Sequence, residues 1–234
     1  MLRHIPAKNL HRSIPVNWLD TIYHFSFADY YNPQNIHFGP LRVLNDDLIK
    51  GHNGFATHPH RDMEIVSYMV EGALTHRDSL GNQGVVRRGE VQYMSAGRGI
   101  WHSEINEAAE TVRLLQIWIL PDAANLEPAY GEHKFEWQAR CGNLLHLVSP
   151  VGGPAPVTLN QDVNMYAIEL ADGEKLDFPL PPGRQCYVVQ VEGAADINGT
   201  KMSQRDALEA MEEDLHITAE GTAHLLFIEM GRQF

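Results

Sequence analysis

The chain is poor in cysteine: Cys141 and Cys186 are its only two, and they stand far apart in sequence. Neither a disulfide framework nor a paired-cysteine zinc site is expected from them, and the composition suits a reducing, cytoplasmic setting. No run of apolar residues approaches the roughly eighteen of a membrane-spanning helix. The first residues, Met1-Leu-Arg-His-Ile-Pro-Ala-Lys8, lack the apolar core of a secretion signal. Positive charge is scarce as well. Eighteen Lys and Arg stand against thirty Asp and Glu, a formal net charge of −12. Arg87-Arg88 and the Arg3, Lys8, Arg12 set are the densest basic groups and read as solvated surface, so direct nucleic-acid binding is not expected. Phosphate-loop, dinucleotide-loop and nucleophile-elbow motifs are all missing. Helical signals are few. Gln204 to Glu213 has a helix-favouring composition, but the repeat described below makes it a turn and a strand.

What the chain does have is histidine, thirteen in 234 residues, and four metal-capable groups in two close pairs. Thr57-His-Pro-His-Arg-Asp-Met-Glu64 carries His58 and His60. Ser95-Ala-Gly-Arg-Gly-Ile-Trp-His-Ser-Glu104 carries His102 and Glu104. On an extended strand, residues two apart share a face. Two such pairs on neighbouring strands can therefore converge. Three imidazoles and a carboxylate suit a divalent transition metal such as iron(II), and also manganese, cobalt, nickel, copper or zinc. Between the pairs, Tyr68 to Leu74 reads as a strand entering a turn and His76 to Gly84 as a hairpin loop. A return strand starts at Val85, followed by a turn at Arg88-Gly-Glu90. Short strands at near-regular spacing argue for small barrels or sandwiches, an all-β fold.

A weak internal repeat points to duplication. Val191-Glu-Gly-Ala-Ala echoes Val70-Glu-Gly-Ala-Leu, each after a strand-like run and before a turn, a strand and an acidic turn. Equal offsets put Pro179, Pro181, Thr218 and Glu220 where the first half has His58, His60, His102 and Glu104. One carboxylate without imidazoles holds no transition metal, so a single metal in the first half is expected. Leu120 to Pro128 and Gly152 to Pro156 read as loops, Leu144 to Val148 as a strand with a structural His146, and Ala223 to Met230 as the final strand.

The strings His-Pro-His-Arg-Asp-Met-Glu, Glu-Gly-Ala-Leu-Thr-His-Arg-Asp-Ser-Leu-Gly-Asn and Met-Ser-Ala-Gly-Arg-Gly-Ile-Trp-His-Ser-Glu resemble the pirin family of the cupin superfamily. So do Trp18-Leu-Asp, His24 to Tyr31, Leu41 to Asp47 and Gln116 to Pro121. The resemblance covers most of residues 18 to 121 and, more weakly, the rest. It implies a bicupin, two stacked antiparallel barrels from one chain: a metal-binding domain over 1–125 and a metal-free one over 126–234, with the boundary within about 120–156. Carried over, its ligands fall on His58, His60, His102 and Glu104. Glu64 stands where the generic cupin motif has its carboxylate, and is the alternative to Glu104.

The resemblance further implies quercetin 2,3-dioxygenase activity, in which a flavonol heterocycle is opened with dioxygen and carbon monoxide is lost. The substrate would be a small flavonol-like aromatic. Glu104 or Glu64 would accept its hydroxyl proton. Phe38, Phe55, Tyr93 and Trp101 are candidates to line the pocket. A redox-responsive regulatory protein docking on a protein partner is the alternative, and a purely structural metal a third reading.

Overall fold

The computed structural model describes residues 1–232, and the chain is built almost wholly from antiparallel strands. In order they are β1 (Leu2–Ile5), β2 (His11–Val16), β3 (Leu19–Tyr23), β4 (Leu41–Ile49), β5 (Asn53–His60), β6 (Glu64–Glu71), β7 (Ala73–Asp78) and β8 (Gln83–Arg87). Then come β9 (Val91–Ser95), β10 (Ile100–Asn106), β11 (Val112–Ile119), β12 (Ala129–His133), β13 (Leu145–Pro150), β14 (Val157–Leu159), β15 (Val163–Leu170) and β16 (Lys175–Phe178). The last six are β17 (Arg184–Glu192), β18 (Ala195–Ile197), β19 (Thr200–Met202), β20 (Ala207–Met211), β21 (Leu215–Ala219) and β22 (Ala223–Gly231). Among the described residues, no helix is long and apolar enough to cross a membrane.

Two compact units result. The first comprises His11–Glu136 with Leu159–Gln161; the second comprises Met1–Leu10, Trp137–Thr158 and the chain from Asp162 onward. The units depart from a division at 1–125 and 126–234 in that Met1–Leu10 joins the second, while the first runs on to Glu136, inside the expected boundary range of about 120–156, and takes Leu159–Gln161. β1 pairs with β20, Leu2 opposite Ala210, which ties the N-terminus to the second unit.

Each unit carries a seven-stranded and a four-stranded sheet. The orders are β12-β9-β6-β11-β4-β3-β2 with β5-β10-β7-β8, and β1-β20-β17-β22-β15-β13-β14 with β16-β21-β18-β19. The two orders superpose strand for strand, which gives the weak sequence echo a structural basis. β6 and β17 occupy the same place, and the glycine after each, Gly72 and Gly193, has positive φ. Gln204 to Glu213 forms a turn and β20, as the repeat requires. The apolar halves of the alternating strands make the cores. Ile49, Met69, Leu74, Val112 and Leu114 cluster in the first unit. Phe178, Val188, Leu208, Leu215, Ile217 and Phe227 do so in the second.

Two local expectations need correction. The stretch from His76 to Gly84 is not all loop: β7 continues to Asp78 and β8 begins at Gln83, leaving Ser79 to Asn82 as the turn. Asp78 closes it, accepting the backbone N–H groups of Leu80 and Asn82 at 2.9 and 3.0 Å. The offset-based counterparts in the second half also shift. In β10–β5, His102 faces His58 and Ile100 faces His60; in β21–β16, Ile217 faces Leu176 and Leu215 faces Phe178. The true equivalents of His58, His60, His102 and Glu104 are thus Leu176, Phe178, Ile217 and Ala219. All four belong to or pack on an apolar core. Loop lengths differ between the halves, so counting residues from a shared glycine drifts by up to three positions.

Candidate metal centre

β5 is an edge strand, which tolerates Pro59 between the two histidines because an edge has no second partner for the missing N–H. His58 and His60 share its inner face. β10 alternates cleanly, with Ile100, His102, Glu104 and Asn106 buried and Trp101 exposed. Between β9 and β10 the chain reverses at Gly97, which has φ +43° and no room for a Cβ against the Leu126 carbonyl.

Antiparallel pairing brings His102 opposite His58, and the three imidazoles converge. Ring centroids are 4.5 Å apart for His58–His102 and 4.8 Å for both His58–His60 and His60–His102. The Nε2 atoms of His58 and His102 face each other at 3.1 Å. His58 Nδ1 lies 2.7 Å from the Ala56 carbonyl oxygen, which holds the proton on Nδ1 and leaves a lone pair on Nε2. Burial lowers His60 to about 4 and His102 to about 2, so both stay neutral at physiological pH.

The unbroken alternation of β10 puts Glu104 on the face of His102, toward the seven-stranded sheet, while the extra residue of the bulge lies on β5 between Phe55 and His58. There a row of polar residues crosses five strands: Tyr23, Asn45, Gln116, Ser67 and Gln92, each directly opposite the next. Ser67 Oγ donates to Glu104 Oε1 at 3.0 Å and Gln116 Nε2 to Oε2 at 2.7 Å. Burial nevertheless pushes Glu104 up to about 7, while Ser67, Gln116 and Gln92 pull it down. Glu104, His102 and His76 form a second group whose ligand-type atoms lie within 4.8 Å of one another. His76 is already engaged on both sides. Gln92 Nε2 donates to its Nδ1 at 3.1 Å, and its Nε2 faces Asp78 at 3.3 Å.

Glu64 does not join either group. Its oxygens accept the Tyr93 hydroxyl, the backbone and side-chain N–H of Asn160, and the Gln161 N–H, at 2.8 to 3.1 Å. It is a buried structural carboxylate at the start of β6.

The donor set passes a simple test for a divalent ion. The His58 and His102 Nε2 atoms stand 3.1 Å apart, and His102 Nδ1 has no hydrogen-bond partner. Ligands about 2.1 Å from one metal and at right angles to each other stand about 3 Å apart. The open side of the cluster is a cavity of about 190 Å³ shared by His58 and His60 with Phe55, Tyr23, Phe27 and Trp118. Trp118 meets His60 edge to face at 4.8 Å. Of the four aromatics expected to line a pocket, Phe55 alone does. Phe38 is buried elsewhere, Tyr93 serves Glu64, and Trp101 points outward at 53% exposure because it falls on the odd positions of β10. Asn45, Asp47, Ser67, Gln92, Gln116 and Trp118 were missed. Their only sequence signal is a polar residue on the inward phase of an otherwise apolar strand.

A chain of paired β-sheets with a convergent imidazole cluster facing an apolar cavity defines a cupin-like protein. The pirin family model matches residues 7–119, and a model described as the quercetinase C-terminal cupin domain matches 146–230. The chain belongs to the pirin family. It is 39% identical to the quercetin 2,3-dioxygenase of Escherichia coli K12, covering 91% of this chain and 92% of that protein. It is 40% identical to a pirin-like protein of Caulobacter vibrioides, covering 91% and 92%. The crystal structure of the bacterial pirin YhhW from Escherichia coli in complex with nickel(II) matches with a TM-score of 0.92 at 36% identity, covering 99% of both chains.

Proposed function

We propose that this chain is a metal-dependent dioxygenase of the quercetinase type, opening a flavonol such as quercetin with dioxygen and releasing carbon monoxide. The observation that carries the reading is the imidazole cluster at the rim of an aromatic-walled cavity. A ring-bearing substrate entering that cavity is brought against His58 and His60. The names of the similar Escherichia coli enzyme and of the second domain model support the same chemistry. In this reading each unit is a cupin barrel, and the first one works.

His58, His60, His102 and Glu104 would hold a divalent metal, which when bound supplies Lewis acidity to a substrate hydroxyl. We read the working occupant as iron(II); the donor set equally accepts manganese, cobalt, nickel, copper or zinc. The protein's own residues do the rest. Burial keeps His60 and His102 neutral and able to donate lone pairs. Ser67 and Gln116 hold the Glu104 carboxylate in one orientation. Phe55, Phe27 and Trp118 exclude water from the substrate's ring. Of the two carboxylates considered for the hydroxyl proton, Glu104 adjoins the cluster through His102 and Glu64 is fully engaged elsewhere, which favours Glu104.

The test is oxygen uptake by anaerobically iron-loaded protein with and without quercetin, with carbon monoxide and metal content measured on the same sample. Quercetin-dependent uptake with carbon monoxide release, lost in His60→Ala together with most of the metal, is expected. One bound metal without any flavonol-dependent uptake would overturn the dioxygenase reading.

A further inference from the structure

The cavity beside the imidazoles has a polar floor that no metal-binding role explains. Asn45 and Asp47 are two apart on β4 and so face the same way, into the cavity. Both are buried, at 3% and 2% exposure. The third polar group there, Gln116, is spoken for. Its Nε2 donates to Glu104 and its Oε1 accepts the Trp118 Nε1–H at 3.1 Å. Asn45 Oδ1, by contrast, has no hydrogen-bond partner. A buried acceptor left unmet forfeits its hydration with nothing in return, so such a group in a cavity marks where a ligand's donor belongs. Asp47 has a side-chain hydrogen bond with Thr21, and its carboxyl group has a second oxygen that can accept from a ligand.

The walls around these acceptors are apolar: Leu19, Phe27, Phe55 and Trp118. At about 190 Å³ the space is smaller than the roughly 300–1,000 Å³ of sites that enclose a whole drug-sized ligand, so it takes one ring. A ring with apolar faces and donors on its edge is a hydroxylated aromatic. We propose that Asn45 and Asp47 are specificity-determining residues that accept hydrogen bonds from ring hydroxyls of the substrate and so select hydroxylated aromatics over unsubstituted ones. This deepens the dioxygenase reading and rests on it only for the site, since the discrimination is one of binding.

The experiment is calorimetric titration of nickel(II)-loaded protein, without oxygen, using two probes. Quercetin carries several ring hydroxyls; 3-hydroxyflavone has the same ring skeleton and only the one beside its carbonyl, so both can reach the metal. The wild type should prefer quercetin. Asn45→Leu and Asp47→Leu should each weaken quercetin about tenfold, the loss of one buried hydrogen bond, while 3-hydroxyflavone changes less than about twofold. Nickel stoichiometry should not change. The isosteric Asp47→Asn, which turns one acceptor oxygen into an N–H donor, should weaken quercetin several-fold and keeps the test alive if a leucine variant does not fold. Equal losses for both probes, or a wild type without preference, would overturn the proposal. Oxygen uptake separates the two readings. Discrimination without uptake leaves hydroxyl recognition standing and removes the dioxygenase; uptake with unaltered discrimination in the variants does the reverse.

Discussion

Gln116 joins the cavity wall to the metal-facing carboxylate through a single side chain. Its amide can satisfy both Trp118 and Glu104 in one orientation only, with the oxygen toward the indole N–H and the nitrogen toward the carboxylate. Gln116→Leu keeps the volume and removes both contacts. Outer partners of metal ligands typically carry about 10–100-fold in metal affinity. Competition titration against a chelator should therefore show a loss in that range, with the folded β-spectrum kept. A second residue-scale expectation concerns acid. Burial lowers His24 from its ordinary 6.5 to about 4. Above pH 6.5 neither folded nor unfolded chain binds that proton. As pH falls toward 4, only the unfolded chain takes it up, so this group's stabilisation is lost over that window. His24→Asn removes the dependence, whereas Asp47 and Glu104, whose raised values act in the opposite sense, remain in both proteins and largely cancel in the comparison. The stability gap between wild type and variant should shrink by about 2 kcal/mol between pH 7 and pH 5, read by denaturant unfolding.

At the scale of elements, the site depends on how β5 lies against β10. Gly54 sits next to the β5 bulge, opposite Ile105, and a Cβ there would overlap the Glu104 carbonyl and lie 2.7 Å from Ile105 Cα. Both neighbours are backbone and cannot rotate away. Gly54→Ala should cost about 1–3 kcal/mol by overpacking and displace Glu104 from His102. Thermal unfolding and metal stoichiometry check the two effects, and a variant that keeps both would show that the bulge has slack. The same region marks what the sequence can and cannot reveal. The two pairs His58/His60 and His102/Glu104 are legible because period-two alternation needs only local spacing. The row from Tyr23 to Gln92 is not, because it exists only once five strands are set in register. Residues 23, 45, 67, 92 and 116 lie 22 to 25 apart, far beyond the reach of any local strand period. Trp101 misled for a related reason: an aromatic beside a ligand histidine is, on a strand, on the opposite face from it.

For the whole molecule, duplication without duplicated chemistry has a consequence for metal content. The second unit reproduces the strand orders of the first, so its equivalent positions are known without sequence similarity. They hold Leu176, Phe178, Ile217 and Ala219. None can donate a lone pair to a metal, and Ile217 is 1% exposed in a packed core. The sequence echo at Gly193 was enough to reveal the repeat, but not to align these positions, because the loops between them differ in length. Elemental analysis of the loaded protein should give one metal per chain, with a second equivalent overturning the assignment of these four side chains to core. Ile217→Ala should destabilise by about 2–5 kcal/mol through the cavity it leaves. His102→Ala at the corresponding place in the first unit should instead lose most of the metal. If stability is compared without metal, the histidine variant should be the milder of the two. It removes a desolvated polar ring facing other imidazoles, whereas the isoleucine variant removes apolar packing with nothing to replace it.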